Sequence, residues 1–183
     1  MEMFISVLRG INVSGQKKIL MADLKALYEE LGFENIKTYI QSGNVVFETS
    51  GHISNQDLAK EIEKVIQLKY GFAVPVIIRR GAELSQLVAA NPFLPSSTID
   101  PEKLHITFLA DTPQPSSIDK INTFNYPPDQ FVIIGQEIFL YIPDRYSDSK
   151  LSNSFFENKL KVAATTRNWK TVNQLLQMAT LMP

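Results

Sequence analysis

The sequence predicts an α+β protein built from two βαββαβ lobes, each an antiparallel sheet covered by helices on one face. Three observations predict it. Short β-type runs and amphipathic helical stretches succeed one another in the order βαββαβ between Phe4 and Ile78. A similar order returns after a proline-bearing stretch at 92–101. Tight-turn residues join the two middle strands of each half, which only an antiparallel hairpin allows.

The elements follow in chain order. Phe4 to Leu8 is a short apolar run ending in Arg9-Gly10, and reads as a strand. A Gly- and Lys-containing loop runs on to Leu20. Met21, Leu24, Leu27, Tyr28 and Leu31 then recur at helical spacing, and Gly32 is a natural stop. Ile36 to Ile40 and Val45 to Thr49 read as strands joined at Gln41-Ser42-Gly43-Asn44, where Gly43 or Asn44 accepts positive φ. Ser54 caps a second helix, with Asp57 three positions on, Leu58, Ile62, Val65 and Ile66 as its apolar stripe, and Gly71 at its end. Val74 to Ile78 is a fourth strand, closed by Arg79-Arg80-Gly81. A helix with Leu84, Leu87 and Val88 follows and stops at Asn91-Pro92.

In the second half Leu104 to Leu109 is a strand, and a short helix starts at Ser116 and carries Ile118 and Ile121. Pro127-Pro128 forbids its continuation. Phe131 to Ile134 and Glu137 to Ile142 form a hairpin across Gly135-Gln136. Leu151, Phe155 and Leu160 mark another helix, Val162 to Thr165 a short strand, and Val172, Leu175, Leu176 and Ala179 a last helix that begins at Trp169. Each half thus reads as a ferredoxin-like unit. The expected division is a lobe over 1–91 with an extra helix, a linker over 92–101, and a second lobe over 102–183 with a terminal helix. The repeat is one of element order; residue identity between the halves is not evident.

The bulk composition bounds the function. The 183 residues are 44% hydrophobic and 20% charged, enough for a core without staples. Absence of cysteine excludes disulfides and thiolate metal sites. Lys plus Arg is 18 against 19 for Asp plus Glu, a net charge of −1. That balance argues against nucleic acid as a partner held by overall charge, without excluding a local basic patch. No apolar run approaches the roughly 18 residues of a membrane span, and the N-terminus lacks the features of a signal peptide. A cytoplasmic protein without membrane association is expected; nothing signals an oligomeric state.

Several long motifs then point to a family. They are Leu8-Arg9-Gly10-Ile11-Asn12-Val13 with Gly15, Lys18 and Met21-Ala22-Asp23-Leu24; Leu31-Gly32-Phe33; and Thr38 to Phe47, reading TYIQSGNVVF. Asn91-Pro92-Phe93 and Thr166-Arg167-Asn168-Trp169-Lys170-Thr171-Val172 continue them. On these residues the chain resembles a bacterial family of unknown function, domain of unknown function 1697. Ser14 departs from that family's usual glycine. The resemblance implies a fold and brings no activity with it.

Chemistry is sought in four places. The loop Arg9 to Lys18 combines glycines, which let backbone N–H groups approach an anion, with basic residues. Gly10 and Gly15 have P-loop spacing, but Gln16 interrupts the Gly-Lys step and no Ser or Thr follows the lysine, which excludes a nucleoside-triphosphatase. In a βαββαβ unit this loop and the hairpin turn emerge at one sheet end. Arg9, Asn12 and Lys18 are therefore expected near Gln41, Ser42 and Asn44, a set suited to a small phosphate- or carboxylate-bearing molecule. The bland reading gives Gly43 and Asn44 to turn geometry alone. The second place is Arg167 with Asn168, where Asn168 caps the last helix and an anion would meet its N-terminus; a plain cap explains the same residues. Third, Arg79-Arg80 reads more simply as solvation of a strand end. Fourth, His52 and His105 have no metal-ligand spacing, and no Gly-x-Ser-x-Gly elbow occurs. Carboxylates gather on polar helix faces. No cofactor is implied.

Three functions remain in competition. The first is a binding protein, with or without turnover, for a small anionic molecule. The second is an RNA-binding module using the sheet, for which Phe4 and Phe47 are the stacking candidates. The third is a non-catalytic protein-interaction module.

Overall fold

The computed structural model describes residues 1–50 and 53–181; His52 therefore lies outside the described residues. Along these the order is β1 (Glu2–Leu8), α1 (Met21–Glu30), β2 (Glu34–Tyr39), β3 (Asn44–Thr49), α2 (Asn55–Tyr70), β4 (Val76–Arg80) and α3 (Gly81–Ala89). Then come β5 (Leu104–Leu109), α4 (Pro115–Ile121), β6 (Gln130–Ile134), β7 (Glu137–Tyr141), α5 (Asn153–Leu160), β8 (Ala164–Asn168) and α6 (Trp169–Thr180). The strands form two four-stranded sheets, ordered β2-β3-β1-β4 and β6-β7-β5-β8, with every pair antiparallel. Both sheets have the ferredoxin-like order, so the α+β class with two such lobes holds. By compactness the chain divides into Met1–Gln86 with the stretch from Gln174 on, and Leu87–Asn173.

In the first unit, strand alternation sends Phe4, Ser6 and Leu8 of β1, Val45 and Phe47 of β3, and Val76 and Ile78 of β4 to one face. There they meet Leu24, Leu27 and Tyr28 of α1 and Leu58, Ile62 and Ile66 of α2. Tyr28 packs edge-on to Phe33 and Phe47. Its buried hydroxyl lies 2.7 Å from Ser6 Oγ, so the polar member of the β1 face is satisfied. Burial pushes the Tyr28 pKa upward, against the lowering effect of the Ser6 bond. The caps form as the residues dictate: Ser54 Oγ accepts the Asp57 N–H at 3.1 Å, and Gly71 closes α2 in the left-handed region. In the second unit Leu109, Ile138, Leu140 and Ala164 of the sheet pack with Ile121 of α4 and Phe156 and Leu160 of α5.

Three expectations shift. β4 runs to Arg80, because Arg79 and Arg80 still pair with Ile5 and Phe4 of β1; the Arg80 N–H is taken by the Glu83 carboxylate at 2.7 Å, and its guanidinium pairs with Glu2 on β1. Arg79 is accordingly buried within a strand rather than solvating its end. Likewise β8 occupies Ala164–Asn168, so Thr166 to Asn168 are strand and not loop. Thr166 pairs with Thr107 through their hydroxyls at 2.7 Å, a cross-strand bond that composition does not announce. Leu151 precedes its helix, which Ser152 caps by accepting the Phe155 N–H.

Candidate functional site

The loop after β1 and the turn before β3 share one end of the first sheet. Leu8 N–H donates to Gly43 C=O at 2.8 Å, and Arg9 N–H to Pro75 C=O at 2.9 Å. Gly43 sits at φ +77°, where a Cβ would stand 2.7 Å from Ile11 Cδ1 and 2.8 Å from Leu8 Cβ. Only glycine fits so close under the loop. The left-handed residues of the turn are Ile40 and Gly43, not Asn44.

Asn12 holds the rim together. Its Nδ2 donates to Ile19 C=O at 2.9 Å and to Gln41 C=O at 2.8 Å. Its Oδ1 accepts the Ile19 N–H at 3.0 Å, and its own N–H reaches Lys17 C=O at 3.2 Å. Lys17 Nζ is tied to Ala73 C=O at 2.7 Å. Asn44 is buried, its amide donating to Tyr39 C=O and to Ser42 Oγ, each at 2.9 Å. Asn12 and Asn44 are thus builders of the rim. Lys18 and Gln41 are the exposed side chains of this set, and Arg9 is half-buried.

That backbone is unusual. Gly10, Asn12, Ser14, Gly15 and Lys17 all have positive φ. For the three non-glycine residues this costs roughly 1–2 kcal/mol each, so the conformation persists only because its surroundings hold it. Alternation of positive and negative φ is the pattern of anion-binding nests.

The second unit shows what the fold requires at this place. Leu109 N–H donates to Gln136 C=O and Ala110 N–H to Ala163 C=O, both at 2.9 Å, as Leu8 and Arg9 do in the first unit. The ends of β1 and β5 are therefore equivalent. Yet five residues, Ala110–Gln114, lead from β5 to α4, whereas twelve, Arg9–Leu20, lead from β1 to α1. The shorter connection has no positive-φ residue and no lysine or arginine.

The same equivalence reveals a residue-level repeat that the two sequences hide. Arg79 stands opposite Ile5, and Arg167 opposite Ile106. Each is buried and each donates to the carbonyl of the residue before it, Ile78 at 2.7 Å and Thr166 at 3.0 Å. Arg167 also donates to Thr165 Oγ1 at 2.9 Å. Reading the halves by strand register instead of by identity would have found this pair. Asn168 Oδ1 accepts the Thr171 N–H at 2.8 Å and caps α6. Arg167 and Asn168 belong to the second unit, and these bonds are local.

Other chemistry is sparse. The rings on which the RNA reading rested, Phe4 and Phe47, lie 5.9 Å apart inside the helix-covered core. The opposite face of the same strands carries Ile5, Val7, Val46 and Ile77. His105 stacks on Tyr146 and approaches Lys103 C=O; burial lowers its pKa, partly opposed by that backbone contact. A surface cleft of about 410 Å³ lies in the second unit between Asn125–Asp129 and Asp144–Lys150, braced by Ser149 Oγ donating to Asp129 at 2.6 Å. Among the described residues no helix is long and apolar enough to cross a membrane, and no three metal-ligating side chains cluster.

Fold and rim define an α+β protein of two ferredoxin-like units whose first β–α connection is enlarged, basic and internally clamped. The chain belongs to the family described as "Protein of unknown function (DUF1697)", whose model matches residues 1–139. The match takes in both the loop and the turn; Thr166 to Val172 fall beyond it. Among solved structures, the conserved bacterial protein SP0830 from Streptococcus pneumoniae is similar over 97% of this chain and 98% of that one, with a TM-score of 0.75. At 22% identity the likeness speaks for the fold alone. No curated protein matches.

Proposed function

We propose that this protein binds a small anionic molecule, phosphate- or carboxylate-bearing, at the rim formed by Arg9–Lys18 and Gln41–Asn44. The observation that carries the reading is the contrast between the two β–α connections. One unit crosses with five residues and the other with twelve, on the same fold. Connections in α/β units are commonly about 2–6 residues, and longer ones tend to carry function. The extra length here brings Lys17, Lys18, two glycines and a strained, clamped backbone, none of which the fold needs. The segment from Arg9 to Leu20 holds three cationic side chains and no acidic one. An anion there would be met by Lys18, Arg9 and peptide N–H groups, with Gln41 as the neutral donor.

Isothermal titration of the whole chain against a panel of nucleotides and sugar phosphates tests the reading, repeated with Arg9→Ala and Lys18→Gln. Saturable binding weakened about tenfold or more by either substitution supports it. An absence of binding at millimolar ligand contradicts it.

A further inference from the structure

The same rim carries an apolar fringe. Val13 is 59% exposed, Leu20 67% and Ile40 49%, on a protein whose large hydrophobic side chains are otherwise mostly buried. Val13 and Leu20 belong to the loop and Ile40 to the turn, and each adjoins a member of the Asn12 cluster. Val13 follows Asn12, Leu20 follows Ile19, and Ile40 precedes Gln41. Asn12 bonds to Ile19 in both directions and to Gln41 at 2.8 Å, which brings the backbone beside these three positions together. Ile40 holds this position at φ +50°, a conformation that β-branched residues strongly avoid. Lys18 stands two residues before Leu20, Gln41 directly follows Ile40, and Arg9 opens the same loop.

Resting on the anion-site reading, we infer that the ligand is amphipathic: one anionic group beside one aromatic or compact apolar group, as in an aryl phosphate or a nucleoside monophosphate. Size selects this occupant. A single aromatic group buries about 150–250 Å², which three aliphatic side chains can cover. A stable protein interface needs roughly 800 Å² per partner, far beyond three side chains. Charge selects it too, because the loop that carries Val13 and Leu20 also carries Arg9, Lys17 and Lys18 and no acidic side chain. A free inorganic anion or a sugar phosphate would leave Val13, Leu20 and Ile40 facing water in the complex, with no apolar surface withdrawn.

The test compares ligands of similar charge on the whole chain: inorganic phosphate, glucose 6-phosphate and phenyl phosphate, by isothermal titration. Phenyl phosphate should bind at least about tenfold tighter than the other two, equivalent to ~1.4 kcal/mol. Leu20→Ser and Ile40→Asn should bring phenyl phosphate down to inorganic phosphate. Both substitutions suit the fold, since serine is a better residue than leucine ahead of α1 and asparagine tolerates positive φ. Equal affinity for all three ligands overturns the amphipathic ligand while leaving the anion site standing. Failure of all three to bind at millimolar concentration overturns the site itself. A phenyl phosphate preference untouched by either substitution places the apolar contact elsewhere and also overturns the inference. Concentration-dependent self-association abolished by Leu20→Ser, seen by sedimentation, assigns the fringe to contact between copies and does the same.

Discussion

The Asn12 side-chain amide donates to the Gln41 carbonyl at 2.8 Å, joining a loop and a turn that lie 29 residues apart. Because the same amide also exchanges two bonds with Ile19, removing it opens the loop at two places. Asn12→Ala should destabilise the protein by about 2–4 kcal/mol, from lost bonds and from alanine at φ +55°. Asn12→Gly relieves the backbone and should cost about 1 kcal/mol less. Urea denaturation gives both values, and hydrogen exchange at the Ile19 amide should quicken in both variants.

Gly43 lies beneath that loop, and its substitution tests how closely the two segments meet. Gly43→Ala combines a left-handed alanine with contacts of 2.7 and 2.8 Å to Ile11 and Leu8. A loss of about 2–5 kcal/mol is expected, read as a lowered denaturation midpoint with unchanged slope.

Ser6 and Tyr28 form a buried pair whose members depend on one another. Tyr28→Phe strands the Ser6 hydroxyl and should cost about 1–3 kcal/mol; Ser6→Ala strands the phenol similarly. The double substitution should cost less than the two singles added, by about 0.5–3 kcal/mol in a thermodynamic cycle. The raised Tyr28 pKa also sets a sign. An unfolded tyrosine ionises near pH 10, before the folded one, so stability falls as pH rises above about 10 in wild type and less so in Tyr28→Phe.

His105 sets the opposite slope. Burial lowers its folded pKa, so between the folded value and the unfolded value of about 6.5 the unfolded chain binds the extra proton. Its neutral form supports the fold above that window, and stability falls as pH drops through about 6.5. Melting temperatures at pH 7.5 and 5.5 should differ more for wild type than for His105→Gln.

Most of the architecture was legible because it rests on local signals. Ser54 with Asp57, Gly71, and the short apolar runs of β1 and β5 each name their element without help from distant residues. The sharing of one sheet end by Arg9–Lys18 and Gln41–Asn44 was legible as well, since it follows from strand order. What escaped depended on long-range partners. Asn12 and Asn44 read as ligand groups because nothing near them in sequence shows that Ile19, Gln41 and Tyr39 occupy their amides. Positive φ at Ile40 runs against its own side chain and is imposed by the turn. The matched burial of Arg79 and Arg167 emerges only from strand register, which residue identity does not carry.

The enlarged first connection is the centre of the account, and amide chemical shifts address it most directly. The isotope-labelled chain should be titrated with inorganic phosphate and with phenyl phosphate, following each backbone N–H. Saturable shifts are expected at Gly10, Ser14, Gly15, Lys18 and Gln41, while the counterpart connection Ala110–Gln114 stays still. Shifts of equal size at Ala110–Gln114, or none at millimolar ligand in the Arg9–Lys18 segment, would contradict it.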